Sequence, residues 1–151
     1  MGAYLGYQNI VDEINSQMNI YSLKEYTLIS KKRYIGDLLH MTGAPNNKNY
    51  YDPDPILKFK NKTSYKTKKL KQIQSSGFVT TNEMALNKLT VLVFRDSFTT
   101  SLQPYYSETF EKVIFIKGSY SQNLVDKFKP DIVIDVFVER FVDGKIISHL
   151  N

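Results

Sequence analysis

The sequence predicts an α/β protein, a three-layer sandwich around a mostly parallel sheet. Three observations predict it. Leu89 to Phe94, Lys112 to Ile116 and Asp131 to Val138 are near-continuous apolar runs of strand length, the pattern of strands covered on both faces. The segments between them, Ser97 to Phe110 and Ser121 to Phe128, read as helices. The resulting order, strand, helix, strand, helix, strand, builds parallel sheets with right-handed crossovers. Gly118 and Pro130 end the second strand and the second helix.

The first half is less regular. Tyr4, Leu5, Tyr7, Ile10, Val11, Ile14 and Met18 recur at spacings of three and four, which predicts a helix over residues 3–18. It opens almost at residue 1 without an N-capping side chain, so the chain is expected to be an incomplete domain. Lys24 to Ile29 reads as a short strand and Gly36 to Met41 as a helical turn ended by Gly43 and Pro45. Asn46 to Pro55 carries turn chemistry, Asn-Asn-Lys-Asn followed by Asp-Pro-Asp-Pro. Ile56 to Lys60 alternates apolar and basic like an edge strand, and Gly77 to Asn82 reads as an edge strand or a turn. Residues 46–76 form a polar, lysine-rich excursion within a single, partial domain of residues 1–151.

A length of 151 residues suits one domain. No apolar run reaches the roughly 18 residues of a membrane-spanning helix. The start has neither a basic leader nor an apolar core, so no signal peptide is read there. There are no cysteines, which excludes disulfides, thiolate metal sites and a cysteine nucleophile. Two histidines, His40 and His149, exclude a histidine-rich metal site. No metal and no cofactor is expected.

The net charge of +5 is local. Lys58, Lys60, Lys62, Lys66, Lys68, Lys69 and Lys71 give seven positives without an acid, which leaves 13 basic against 15 acidic residues elsewhere, a balance of −2. This segment is either a solvated excursion or a surface for an anionic polysaccharide, teichoic acid or lipid. Lysine outnumbers arginine 17 to 3, and bidentate reading of phosphate or guanine favours arginine. No nucleic-acid partner is therefore expected.

In parallel α/β sheets the ligand site lies beyond the carboxyl ends of the strands. Those ends are Arg95-Asp96-Ser97-Phe98, Lys117-Gly118-Ser119-Tyr120 and Glu139-Arg140-Phe141, expected side by side on one rim. Ser97 falls where strand turns into helix, where a hydroxyl is exposed and backbone N–H groups can meet an oxyanion. From spacing alone the commoner reading is that Asp96 or Ser97 caps the helix. A nucleophilic serine needs a base, and neither His40, after Leu38-Leu39, nor His149, in the terminal tail, sits in a context that supplies one. Tyr105 and Tyr106 fit either a sugar-stacking surface or a core.

Three stretches carry a family resemblance. They are Gly36-Asp37-Leu38-Leu39-His40-Met41, Leu92-Val93-Phe94-Arg95-Asp96-Ser97-Phe98, and Lys129-Pro130-Asp131-Ile132-Val133-Ile134 running into Val138-Glu139-Arg140-Phe141. In this order they resemble the SGNH-hydrolase-like domain of alginate O-acetyltransferases of the AlgX/AlgJ type and the related DHHW proteins of bacterial envelopes. The resemblance implies an SGNH-hydrolase or flavodoxin-like sheet with Ser97 as the catalytic serine. Arg95, Asp96, Asp37, Glu139 and Arg140 would lie around the substrate and oxyanion. It also implies an extracytoplasmic, cell-envelope location and an acetylated envelope polysaccharide as substrate, with the acetyl donor unspecified. The family's Asp-x-His-Trp motif, which holds the base and its orienting acid, lies directly upstream of a helix like Gly2 to Tyr7 and is not in this chain. The chain is thus expected to be inactive alone, since losing the base costs orders of magnitude in rate. The alternative is a non-catalytic module that grips an anionic envelope polymer through its lysines. A truncated sheet also predicts self-association through an exposed edge.

Overall fold

The computed structural model describes residues 2–33, 52–61, 64–70 and 77–137. In chain order the elements are helix α1 (Gly2–Ile14), a 3₁₀ turn (Leu23–Glu25), strands β1 (Tyr26–Arg33), β2 (Asp52–Phe59), β3 (Lys66–Lys69), β4 (Gly77–Thr81) and β5 (Asn87–Arg95), a second 3₁₀ turn (Phe98–Ser101), helix α2 (Gln103–Thr109), strand β6 (Phe110–Lys117), helix α3 (Gln122–Phe128) and strand β7 (Ile132–Val136). Two compact units divide the chain, one of residues 1–2 and 21–62, the other of residues 3–20 and 63–151.

The smaller unit is an antiparallel ribbon of β1 and β2, in unbroken register from Tyr26↔Phe59 to Arg33↔Asp52. Phe59 packs on Tyr26 and Tyr21, with ring centroids at 5.3 and 4.7 Å. The Asp-Pro-Asp-Pro run, expected as a turn, is the first half of β2. Pro53 and Pro55 are two residues apart, so both imide nitrogens face the same side of the strand. In a two-stranded ribbon one side has no ladder to feed, and proline is tolerated there.

The larger unit holds a five-stranded sheet in the order β3-β4-β6-β5-β7. Its parallel part matches the expectation: β5 lies between β6 and β7, with Val91 opposite both Val113 and Ile132. The sheet as a whole is mixed, because β4 joins β6 antiparallel and β3 joins β4 antiparallel. The physical reason is connection length. Only residues 82–86 separate β4 from β5, and a parallel arrangement needs a crossover of a dozen residues or more. Gly77–Thr81 is accordingly neither an edge strand nor a turn but lies between β3 and β6.

Strand alternation divides the side chains between two faces. Leu92, Phe94, Ile114 and Ile116 form a buried cluster on one face, joined by Leu124, Val125 and Phe128 of α3 and by Leu70 and Val79. Burying each contributes roughly 1.5–3 kcal/mol. The opposite face meets α2, where the Thr80 hydroxyl is 2.9 Å from that of Ser107. Here α1 presents Tyr4, Tyr7 and Val11, all buried, at the helical spacing read from the sequence. Tyr7 packs on Tyr105 and Tyr106, at 5.5 and 5.3 Å, and its hydroxyl is hydrogen-bonded to that of Thr109. Tyr105 and Tyr106 are therefore core residues. Helix α1 ends at Ile14 rather than Met18, and the Asn15 side chain accepts the Gln17 N–H in the turn that follows.

The helix expected over Ser97 to Phe110 is divided. A 3₁₀ turn of four residues precedes a seven-residue α-helix whose first turn contains Pro104. Proline has no N–H to give to residue 100, which interrupts a continuous helix, and it is tolerated in a first turn, where that bond is not needed, so a new helix starts at Gln103.

Candidate functional site

The carboxyl ends of β5, β6 and β7 meet on one rim. Arg95 is in register with Lys117 on one side and Val136 on the other. The Gly118 N–H donates to the Arg95 carbonyl at 3.0 Å, and the Tyr120 ring packs 5.4 Å from Phe94. The first two predicted clusters are thus adjacent. Asp37, Glu139 and Arg140, like His40, His149, Lys62 and Lys71, lie outside the described residues.

Ser97 lies two residues beyond the end of β5, the middle parallel strand, and is exposed. It opens the 3₁₀ turn with helical backbone angles, φ −71° and ψ −25°, and its side chain makes no capping hydrogen bond. Asp96 does the capping: its Oδ1 accepts from the Thr99 N–H and lies 3.3 Å from the Thr99 hydroxyl. The two readings of this dipeptide therefore separate, with the acid as the cap and the serine left out of that role. The short turn also means that Ser97 does not sit at the N-terminus of a full α-helix.

Thr99 was not legible as a site residue, although the i, i+3 spacing from Asp96 is a capping pattern. It is 1% exposed. Its hydroxyl is also 3.4 Å from the Val136 carbonyl of β7, so it ties the serine turn to the neighbouring strand.

Arg95 is held beneath the turn. Its Nη1 donates to the Asp96 carbonyl at 3.0 Å and reaches the Thr100 hydroxyl at 3.4 Å. Its guanidinium lies 5.5 Å over the Phe78 ring, an attractive cation–π geometry. Burial lowers its pKa from the usual value, and the charge of Asp96 opposes that shift. Among the described residues no group of acids and histidines could hold a metal ion.

No family model and no curated protein matches the chain. Among solved structures it is similar to Bacillus cereus PatB1 with a sulfonyl adduct, at 16% identity and a TM-score of 0.68, over 93% of this chain and 57% of that one. It is similar to a DHHW family protein from Eubacterium siraeum at 14% identity and a TM-score of 0.68, over 89% and 54%. The chain shares their fold. A second PatB1 structure gives 18% identity, a TM-score of 0.59 and coverage of 93% and 59%. The chain thus spans little more than half the length of these proteins. The shared fold agrees with the resemblance carried by the three motifs. No helix among the described residues is long and apolar enough to cross a membrane.

Proposed function

We propose that the chain is the serine-bearing part of an O-acetyltransferase or acetylesterase acting on a cell-envelope polysaccharide. One observation carries the reading. Ser97 stands exposed at the end of the central parallel strand, and Asp96 has taken over the capping that would otherwise occupy a serine there. The fold shared with PatB1, one of whose structures carries a sulfonyl adduct, supports the chemistry.

In this reading Ser97 Oγ attacks the acetyl carbonyl of a donor ester while a histidine base takes its proton. The carbonyl π electrons move to the oxygen, and the Ser97 backbone N–H helps hold the oxyanion. Collapse forms acetyl-Ser97 and expels the donor's oxygen, which the imidazolium protonates. A sugar hydroxyl, or water in an esterase, then attacks the acetyl-serine and restores the free hydroxyl, with the same imidazole carrying the proton both ways. No described residue is a histidine. His40 and His149 lie outside those residues, and by the family resemblance the base is proposed to come from an upstream Asp-x-His-Trp motif.

The test is the coding sequence upstream of residue 1 together with activity of the longer protein. The reading expects that motif within roughly a dozen codons, and acetyl transfer or release that Ser97→Ala abolishes, a loss on the order of 10³-fold or more. An upstream sequence without an Asp-His pair, or full activity in Ser97→Ala, would overturn it.

A further inference from the structure

Arg95 ties the turn that carries Ser97 to the sheet. It is the last residue of β5, and its Nη1 donates to the Asp96 carbonyl at 3.0 Å and to the Thr100 hydroxyl at 3.4 Å. One guanidinium thus spans the turn on both sides of Ser97. Its carbon lies 5.5 Å from the ring centroid of Phe78 on β4. That ring is stacked at 4.9 Å on Phe115 of β6, which is wholly buried, so the guanidinium rests on the core. A rigid planar group that bonds two acceptors and lies on a ring is arginine's geometry; lysine is a point charge on a flexible stem.

Stability alone does not call for an arginine here. Its Nε is buried without a hydrogen-bond partner, and an unmet buried donor is destabilising. A methionine would lie on Phe78 without that penalty. The contact with a chemical consequence is the one to Asp96. The Asp96 carbonyl and the Ser97 N–H are the two ends of one planar peptide, and in a trans peptide they point opposite ways. The guanidinium therefore holds this peptide from below and leaves the Ser97 N–H directed to the other side. The turn's first hydrogen bond runs from the Thr100 N–H to the Ser97 carbonyl at 3.3 Å, so the Ser97 N–H stands ahead of that ladder. A cationic donor on the carbonyl draws electron density to the oxygen. The N–H of the same peptide becomes a stronger donor, a cooperativity that a low local dielectric enlarges.

We propose that Arg95 is a positioning residue that acts through the Asp96–Ser97 peptide, fixing the direction of the Ser97 N–H and strengthening it as a donor to the oxyanion. The inference rests on Ser97 as the nucleophile. It places Arg95 behind the peptide and out of contact with the substrate, since the oxyanion and the guanidinium lie at opposite ends of one peptide. Through Phe78, it also gives the antiparallel strand β4 a part in the geometry of the site.

The test has two arms. In the protein expressed with its upstream coding sequence, hydrolysis of p-nitrophenyl acetate is followed in Arg95→Met and Arg95→Lys. Arg95→Met is expected to lower kcat on the order of 10- to 100-fold, less than outright loss of an oxyanion donor, with KM within about twofold of the parent. Arg95→Lys keeps a charged donor and is expected to recover part of that loss. An unchanged kcat in Arg95→Met, or a loss confined to KM, would overturn the proposal, the second outcome because it places the guanidinium on the substrate. The other arm uses the present chain and needs no activity. The Asp96 carbonyl carbon and Ser97 amide nitrogen resonances are both expected to move in Arg95→Met and to return partway in Arg95→Lys. Unmoved resonances would overturn the proposal whatever the kinetics. Moved resonances beside a longer protein inert towards the ester would uphold the coupling through the peptide and overturn Ser97 as nucleophile instead.

Discussion

The Thr99 hydroxyl lies 3.3 Å from Asp96 Oδ1, and Thr99 is nearly completely buried. This contact closes the turn that carries Ser97 and frees the serine from capping it. Thr99→Val keeps the shape and removes the hydroxyl whose single proton Asp96 Oδ1 and the Val136 carbonyl share. A loss of about 1–3 kcal/mol is expected. Thr99→Ser should recover most of it, as read by chemical denaturation.

Two tyrosines in contact are expected to respond oppositely to loss of their hydroxyls. The Tyr106 hydroxyl is buried without a hydrogen-bond partner, so Tyr106→Phe removes an unmet polar group and should stabilise by about 1 kcal/mol. The Tyr7 hydroxyl is bonded to that of Thr109, itself wholly buried. Tyr7→Phe strands that partner and should destabilise by about 1–3 kcal/mol. Paired melting curves give both signs.

The same aromatic cluster predicts alkaline lability. Burial raises the pKa of Tyr4, Tyr105 and Tyr106, with Asp12 adding to the shift at Tyr4 and Tyr4 adding to that at Tyr105. Each phenol holds its proton more tightly folded than unfolded. Its contribution is thus fully present below the unfolded pKa of about 10 and is lost as pH rises towards the folded value. The melting temperature should be flat from pH 7 to 9 and fall above about pH 10, less steeply in Tyr106→Phe.

Two glycines separate backbone strain from packing. An added methyl would meet nothing within 4 Å at either Gly6 or Gly118, but Gly118 has φ +145°. Gly118→Ala should destabilise by about 1–3 kcal/mol through strain alone. Gly6, inside α1, should accept alanine with a gain of about 0.5–1 kcal/mol. Denaturant midpoints for the two variants check the opposite signs.

The parallel strands β6-β5-β7 were legible because strands covered on both faces must be apolar without interruption, as Val91 to Phe94 and Val113 to Ile116 are. The antiparallel addition was not. Lys66–Lys69 is exposed at every position, so it carries no apolar periodicity, and its place is fixed by pairing with β4 rather than by composition. Pro53 and Pro55 read as turn residues because the lone ribbon that tolerates them is a tertiary fact. At the rim, Ser97 and Asp96 were legible as a pair with two possible roles. Their division of labour depends on where Thr99 falls in space, which spacing alone does not reveal.

In the proposed chemistry Ser97 is the nucleophile. The most direct measurement treats the protein, expressed with its upstream coding sequence, with an aryl sulfonyl fluoride and maps the adduct by peptide mass spectrometry. A single sulfonyl group is expected on the peptide containing Ser97, absent from Ser97→Ala. A sulfonyl group on another residue, or equal labelling of Ser97→Ala, would contradict it.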